Sequence, residues 1–350
     1  MDCLFFINPI AGSGQGRQIA SQLEGNAHGP GFSVQAVFID HRRIEAQVLS
    51  LVNSKKLIVI AGGDGTVSAI VSILSKLVNP PPFAILPLGT GNDIAKDIGW
   101  WKVWNLGGLP LFFTALKNGK IEPIDLWSCG EKNAFLGYAG LGIDASIVRS
   151  FHNMHNWFSW VQPSAHRNKL LYMYAGLKHI INNIIKGASP EIEVRLTSKK
   201  NVIESFTLKG NFTFLIANIT YYAGENRLSL DSDCSDGLLD IYSFPDIGAY
   251  IKFLAKGSIF PGTLQLKPAN AKIIDIFIKK NIDKQLDGEW AGEEGQNNRL
   301  RIQLLRAMPV LKPPKDFFAR VRLEKTLNNE HSFKKRAVNT VPGQATFKRI

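Results

Sequence analysis

One short pattern occurs three times in the first hundred residues: an apolar strand runs into a glycine-rich loop and then into a helix. The loops follow apolar runs at 4–7, 57–60 and 83–86, and a further strand over 34–39 and a helix over 44–51 separate the first two. Strands that alternate with helices predict a parallel sheet covered by helices. Because parallel strands end at one edge of a sheet, we expect the three loops to surround one crevice.

The second loop, AGGDGT over 61–66, is typical of a phosphate-binding turn. Its glycines let the backbone approach a phosphate closely, and the helix that follows offers N–H groups at its N-terminus. Asp64 adds a carboxylate where a phosphate-bound Mg²⁺ requires one. Neither the dinucleotide motif GxGxxG nor the Walker motif GxxxxGK[ST] is present, which disfavours both of those nucleotide folds.

Beyond about residue 125 the pattern changes to short alternating runs, which are typical of antiparallel sheets packed face to face. The predicted strands cover 135–138, 192–196, 212–216, 238–242, 273–278 and 300–304. One helix is predicted among them, over 169–186, because its apolar residues recur at helical spacing. A chain of 350 residues with this change of pattern predicts two domains.

The net charge of +12 is concentrated at the C-terminus, where residues 311–350 hold ten Lys/Arg and three Asp/Glu. Such a tail is either a solvated end or a segment drawn to anionic lipid head groups. No nucleic-acid motif accompanies it, so we expect no nucleic-acid partner. The three cysteines lack metal-site spacing, and neither a signal peptide nor an 18-residue apolar run is present. We expect reduced cysteines and a cytoplasmic protein that does not span a membrane.

Five motifs in a fixed order are more specific than any one of them. They are Asn8-Pro9-x-x-Gly12, Gly62-Gly63-Asp64-Gly65-Thr66, the PLGTGND segment over 87–93, the SDGLLD segment over 235–240, and Leu286-Asp287-Gly288-Glu289. With them, residues 1–310 resemble the diacylglycerol kinase catalytic-domain family, which includes sphingosine and ceramide kinases and bacterial soluble lipid kinases. NAD kinases share the GGDGT motif, but the GTGND and DGE motifs fit the lipid kinases better.

The resemblance implies an α/β plus all-β fold. It predicts a three-layer α/β nucleotide-binding domain similar to phosphofructokinase over 1–124, completed by a strand near 299–310. A β-sandwich similar to that of NAD kinase, over 125–298, is the expected lipid-substrate domain, and the basic tail follows over 311–350. The active site is expected in the cleft between the two domains.

The function that the resemblance implies is ATP-dependent transfer of the γ-phosphoryl group to a lipid hydroxyl. Diacylglycerol is the first-choice acceptor, giving phosphatidic acid; a sphingoid base or ceramide is the alternative, because the nucleotide motifs do not read the lipid. A non-catalytic lipid- or nucleotide-binding protein is the alternative from another class. Expected partners are a lipid substrate at a membrane surface, with peripheral attachment, and an anionic membrane that attracts the tail; a homodimer is left open.

The resemblance also assigns site residues. The expected nucleotide contacts are Asn8, Pro9, Ile10, Ala11, Gly12, Asp40 in place of a family Thr, Gly62, Gly63, Asp64, Gly65, Thr66, Val67, Ser68 and Thr90. For Mg²⁺, it predicts that Asp64, Asp93 and Asp125 organise a catalytic ion through water. A second, structural Mg²⁺ is expected at Asp233, Asp236 and Leu238, because a hard cation prefers the oxygens of a tight loop.

The Asp287-Gly288-Glu289 motif supplies the expected general base. A lipid hydroxyl is a weak nucleophile and needs a carboxylate within hydrogen-bond reach to accept its proton. The resemblance places this role on Glu289, with Asp287 as the second candidate.

Overall fold

A computed structural model describes residues 1–25, 31–52, 56–157, 190–224, 226–228, 232–256, 269–314 and 317. The helix predicted over 169–186 and most of the basic tail lie outside the described residues. The described helices are α1 (Ala11–Glu24), α2 (Ile44–Leu51), α3 (Asp64–Leu74), α4 (Asp93–Asp97), α5 (Trp100–Asn118), α6 (Ile143–Trp157) and α7 (Ile247–Lys256). 

The described strands are β1 (Asp2–Ile7), β2 (Ser33–Phe38), β3 (Leu57–Gly62), β4 (Phe83–Pro87), β5 (Lys120–Cys129), β6 (Asn133–Phe135), β7 (Tyr138–Gly142), β8 (Glu191–Thr197), β9 (Ile203–Lys209), β10 (Thr213–Ala217), β11 (Tyr221–Tyr222), β12 (Asn226–Arg227), β13 (Leu239–Phe244), β14 (Ala269–Ala271), β15 (Ile273–Ile278), β16 (Ile282–Leu286), β17 (Glu289–Glu294) and β18 (Arg299–Lys312).

The N-terminal strands form the predicted parallel sheet. Their order is β2-β1-β3-β4, and all three contacts between neighbouring strands are parallel. Every residue of β3 and β4 is buried, as expected for strands covered by helices on both faces. The carboxyl ends of β1, β3 and β4 therefore bring their loops to one edge of the sheet.

A second sheet is antiparallel throughout, with the strand order β14-β13-β10-β7-β16-β17. Its apolar face packs against β8, β15 and the neighbouring parts of β5 and β18, and together these strands enclose a core of their own. Trp127, Phe135, Phe214 and Ile276 are among its fully buried residues. The described chain thus contains the predicted combination of an α/β sheet with a β-sandwich.

A long antiparallel ribbon of β5 and β18 runs through both cores. At its start, β18 contributes Leu300 and Ile302 to the sandwich core, and at its end it contributes Met308 and Val310 to the α/β core. Near that end, Val310 is paired with Phe83 of β4, so β18 extends the parallel sheet. The domain boundary predicted between residues 124 and 125 falls inside β5, and it stays a prediction.

The predicted strand over 135–138 is in fact two strands with a turn between them. β6 ends at Phe135, Leu136 and Gly137 make the turn, and β7 begins at Tyr138. The backbone N–H groups of this turn point to a carboxylate described below. No helix in the described part of the chain is both long and apolar enough to cross a bilayer.

All three cysteines are buried thiols without a disulfide, as predicted. Burial raises the pKa of Cys3 and Cys234 to about 11 and that of Cys129 to about 12. A thiol with such a pKa is a poor nucleophile at neutral pH, so these cysteines act as small core residues.

Trp100 offers a test of how α5 is fixed to the α/β sheet. Its ring is fully buried, and its indole Nε1 donates a hydrogen bond to the Leu311 carbonyl of β18 over 2.7 Å. Trp100→Phe keeps a ring but leaves that carbonyl without its donor, so we expect a loss of about 1–3 kcal/mol in the free energy of unfolding. Trp101→Phe is the matched control, because Trp101 is 39% exposed; a change there within about 0.5 kcal/mol is expected. Equal losses in urea unfolding would contradict this account.

Candidate active site

The three glycine loops meet at the carboxyl edge of the parallel sheet, as the strand pattern predicts. The backbone N–H of Asn8 donates to the Ala61 carbonyl, and that of Leu88 donates to the Gly62 carbonyl, both over 2.9 Å. Gly63 and Gly89 come so close that a β-carbon on Gly89 would lie 2.5 Å from the Gly63 Cα. Only glycine permits this approach of two backbones.

The first loop curls through three left-handed residues before α1 continues as a regular helix. Gly12, Ser13 and Gly14 have φ values of 59°, 57° and 96°. The Asn8 side chain fixes this loop to the second one, since its Nδ2 donates to Thr66 Oγ1 over 3.1 Å. Loop and helix N-terminus together present backbone and small polar groups, which suit the phosphates of a nucleotide.

The remaining predicted nucleotide residues lie along the same edge. Ile10 is 69% exposed, Thr90 is exposed on the third loop, and Asp40 is exposed just beyond β2. Asp40 accepts a hydrogen bond from the Arg42 backbone N–H over 3.0 Å. Two further predicted contacts, Val67 and Ser68, lie on α3, and their side chains are buried instead of exposed.

Asp64, which is half-buried, and Asp93, which is buried, form a carboxylate pair beside Gly91 of the third loop. The two Asp64 oxygens accept hydrogen bonds from the backbone N–H groups of Asp93 and Ile94, over 2.8 and 3.1 Å. Burial and repulsion by Asp93 outweigh these bonds and raise the pKa of Asp64 to about 7. Two carboxylates held together in this way form a site that favours a proton or a cation.

Lys96 contributes to the site without having been predicted. Its ammonium group lies 3.3 Å from Asp93 Oδ1 in an ion pair whose side chains are 9% and 1% exposed. It also donates to the carbonyls of Gly91 and Gly224 and so ties the third loop to the sandwich. The spacing of three residues between Asp93 and Lys96 on a helix was the available signal.

Asp125 makes no described hydrogen bond to Asp64 or Asp93. It bonds instead to the loop over 233–238, where the second Mg²⁺ is predicted. Its Oδ2 accepts from the Gly237 N–H over 2.8 Å, and its own N–H donates to the Cys234 carbonyl over 2.7 Å. Burial, followed by the charges of Asp236 and Asp233, raises the pKa of the Asp125 carboxyl group.

A small polar cavity of about 20 Å³ adjoins this loop, which is enough for one water molecule or ion. It is lined by Ala217, Asn218, Ser232, Asp233, Asp236, Leu238, Asp240 and Asn270. Its oxygen-rich lining fits a hard cation. Among the described residues, however, no three acidic, His or Cys side chains converge closely enough to hold a metal ion by themselves. Backbone carbonyls or water would have to complete the coordination here and at Asp64 and Asp93.

The two carboxylates of the Asp287-Gly288-Glu289 motif occupy opposite environments. Asp287 is 3% exposed, and its oxygens accept from the backbone N–H groups of Leu136, Gly137 and Tyr138 over 2.7–2.9 Å. The Ser68 hydroxyl supplies a fourth hydrogen bond. Burial raises the pKa of Asp287, while these four donors act in the opposite direction. Ser68, a predicted nucleotide contact, is thus used to hold Asp287.

Glu289, by contrast, is exposed at the start of β17. Its side chain lies against the first turn of α3: a β-carbon on Gly65 would be 2.8 Å from Glu289 Oε1. Gly65 directly follows Asp64, so this carboxylate from the sandwich stands beside the glycine loop of the α/β sheet. Asp287 and Gly288 have φ values of 48° and 82°, the left-handed values of a tight hairpin turn.

Comparison with known proteins matches both parts of the chain. The diacylglycerol kinase catalytic domain matches residues 2–129, and the diacylglycerol kinase accessory domain matches residues 134–290. Diacylglycerol kinase 2 of Arabidopsis thaliana is 26% identical over 257 residues, which cover 66% of this chain and 35% of that protein. Diacylglycerol kinase iota of Rattus norvegicus is 27% identical over 214 residues, which cover 55% of this chain and 20% of that protein.

The chain therefore aligns with about a third or less of the length of these relatives. Among solved structures, a diacylglycerol kinase from Bacillus anthracis str. Sterne is similar with a TM-score of 0.60 and 17% sequence identity. The alignment covers 89% of this chain and 97% of that one, so the fold is shared over both units. On these matches, the chain belongs to the diacylglycerol kinase family.

Proposed function

We propose that this protein is an ATP-dependent lipid kinase that transfers the γ-phosphoryl group to the hydroxyl of diacylglycerol. The observation that carries the proposal is the exposed Glu289 carboxylate placed against the first turn of α3, beside the carboxylate pair of Asp64 and Asp93. The first and third glycine loops lie at the same edge of the sheet. The names of the relatives support diacylglycerol as the acceptor.

In this proposal the glycine loops hold the phosphates of ATP. Phosphoryl transfer requires mainly positioning and charge stabilisation, and backbone N–H groups at the start of α3 provide both. Asn8 and Thr66 fix the first two loops to each other, and the close contact of Gly63 with Gly89 fixes the third. The division into a nucleotide domain over 1–124 and a lipid domain over 125–298 belongs to the same proposal.

Asp64 and Asp93 are the proposed residues for the catalytic Mg²⁺. Mg²⁺ takes one or two carboxylates and keeps several waters, so a pair of carboxylates fits it. An ion held there would neutralise charge on the phosphate oxygens. Lys96 balances part of the negative charge of the pair. The loop with Asp125, Asp233, Asp236 and the Leu238 carbonyl is the proposed site of a second Mg²⁺.

Glu289 is the proposed general base. As the lipid hydroxyl oxygen bonds to the γ-phosphorus, the bond from that phosphorus to the β–γ bridging oxygen breaks, and the hydroxyl proton passes to Glu289. Asp287 is unsuited to this role, because it is buried and its oxygens already accept four hydrogen bonds. We assign it a positioning role for the hairpin that carries Glu289.

The acceptor and the base are tested together with radiolabelled ATP in mixed micelles that contain diacylglycerol, monoacylglycerol, sphingosine, ceramide or undecaprenol. We expect the highest turnover with diacylglycerol. Glu289→Gln removes the proton acceptor at nearly constant shape and should lower kcat by about 10²–10⁴-fold while ATP binding is retained. Glu293→Gln, on the same hairpin, is the control and should keep wild-type kcat.

Wild-type turnover in Glu289→Gln would remove Glu289 from the mechanism. Preference for sphingosine or ceramide would instead redirect the proposal to a sphingoid-base or ceramide kinase. ATP binding without turnover on any lipid would favour a non-catalytic binding protein.

The carboxylate pair predicts a pH-dependent stability in the presence of a chelator. Asp64 has its ordinary pKa of 3.8 in the unfolded chain and a pKa of about 7 in the folded one. The stabilisation this shift provides is complete below the lower value and is lost as the pH rises through the higher one. We therefore expect Asp64→Asn to raise the Tm by several degrees over wild type at pH 8 but not at pH 4. Added Mg²⁺ should raise the Tm of wild type at pH 8 by more than that of Asp64→Asn, which keeps only the second proposed Mg²⁺ site intact. A Tm difference that is the same at both pH values would argue against this account of the pair.

Peripheral membrane attachment through the basic tail is a further part of the proposal; a cytoplasmic location stays a prediction. The joint change Lys334→Gln, Lys335→Gln and Arg336→Gln should weaken binding to phosphatidylcholine vesicles that contain phosphatidylserine by up to about 100-fold, at about 1 kcal/mol for each basic residue. Co-sedimentation with the vesicles measures this binding.

The control is Lys199→Gln with Lys200→Gln, an exposed pair in the turn between β8 and β9. Binding that ignores phosphatidylserine or the tail charges would refute attachment by this segment.

A further inference from the structure

A buried polar network adjoins the hairpin that carries Glu289. Its centre is Asp144 at the start of α6, which is 1% exposed. Asp144 Oδ1 accepts from the hydroxyls of Tyr222 and Tyr250, over 2.5 and 2.6 Å, and Oδ2 accepts from Gln285 Nε2 over 2.8 Å. The network therefore joins α6, α7, the β11 strand and β16.

Gln285 connects this network to the catalytic turn. It is 1% exposed, and its Oε1 accepts a hydrogen bond from the Gly288 backbone N–H over 2.9 Å. Gly288 directly precedes Glu289. Asp144 bears only acceptors when ionised, so it requires the NH₂ group of Gln285, and the Gln285 carbonyl oxygen must then point to Gly288. The carboxylate thus fixes the orientation of the amide, which fixes the turn.

The surrounding backbone leaves space for this pair. A β-carbon on Gly140 of β7 would lie 2.3 Å from Asp144 Oδ2 and 2.6 Å from Gln285 Nε2. Gly140 is also the direct partner of Gln285 across the sheet. Burying a carboxylate, an amide and two hydroxyls adds little stability compared with apolar side chains of similar volume. A positional role accounts for a network that stability alone does not require.

We propose that Gln285 is a positioning residue for Glu289, and that Asp144 acts through Gln285 to hold the Gly288 turn in its reactive geometry. The proposal rests on the assignment of Glu289 as the base. It explains how the exposed Glu289 side chain is placed with accuracy: the backbone of its turn is anchored on one side by Asp287 and on the other by Gln285. A displacement of about 1 Å in a catalytic group can cost about 100-fold in rate.

The test exchanges the carboxylate of Asp144 and the amide of Gln285 between the two positions. In Asp144→Asn, the new NH₂ group faces either the NH₂ group of Gln285 or, after a turn of the amide, the two tyrosine hydroxyls that donate in wild type; in Gln285→Glu, two carboxylates face each other. The double variant Asp144→Asn/Gln285→Glu restores one donor opposite one acceptor, keeps both tyrosine bonds and the Gly288 bond, and preserves shape and total charge. We expect each single change to lower kcat by about 10–100-fold with the KM for ATP within about twofold, and the double variant to recover to within a few-fold of wild type.

Gln303→Glu, on an exposed strand position of β18, is the matched control and should keep wild-type kcat. Wild-type kcat in both single variants, or a double variant whose loss is the product of the single losses, would overturn the proposal. If a single variant does not fold, the double variant decides alone: recovered kcat supports the exchange, and lost kcat in a folded protein refutes it.

Hydrogen exchange of the Gly288 amide separates this inference from the proposed function. We expect it to be faster in each folded single variant and as slow as wild type in the double variant. Should the wild-type protein phosphorylate none of the lipids, the proposed function fails, and this exchange pattern still decides whether Gln285 and Asp144 fix the turn. Equal exchange in all variants would reject the network as a positioning device.

Discussion

The buried Asp287 carboxylate is the interaction on which the site geometry depends. Its four hydrogen bonds draw together the hairpin of β16 and β17, the turn between β6 and β7, and Ser68 on α3. Because α3 begins at the GGDGT loop, one carboxylate sets the distance between this loop and Glu289. Each N–H left without an acceptor at this depth would cost about 1–3 kcal/mol. The carboxylate therefore couples the α/β sheet to the sandwich at the point where Glu289 lies against the first turn of α3.

The burial of an acidic side chain indicates which role it can take, which the residue type alone does not. Asp287 and Glu289 flank one glycine, and both could accept a proton on the sequence alone; the structure saturates the first with donors and exposes the second. For the metal residues, the structure adds a contact that the sequence does not give. The resemblance groups Asp125 with Asp64 and Asp93, and that grouping stays a prediction. The hydrogen bonds of Asp125 to the loop that follows Ser232 depend on long-range packing, which motif order does not report.

Strands and helices were predictable where the buried apolar residues recur at a regular spacing along the sequence. The apolar run of β3, the helix α2 and the strand β15 were found at or near their observed bounds. The hairpin strand β16 was not, because IDKQL buries two polar residues: Lys284 pairs with Glu294 of the next strand, and Gln285 donates to Asp144, which is far away in the sequence. The helix α6 was missed for a related reason: its first turn carries Asp144, a buried charge that no local pattern distinguishes from a solvated one. Polar residues inside a core interrupt the regular spacing of apolar residues, and here they surround the turn that carries Glu289.

The ribbon of β5 and β18 has a consequence for how the chain is made. The α/β core receives Met308, Val310 and Leu311 from a strand that lies more than two hundred residues after β4 in the sequence. During synthesis on the ribosome, the first 120 residues therefore emerge long before the strand that closes their sheet, and the β4 edge stays open in the interval. Such an edge is a template for pairing with other chains. Contacts of this sequence separation also slow folding. In the nascent protein, the β4 edge is therefore covered only when β18 arrives.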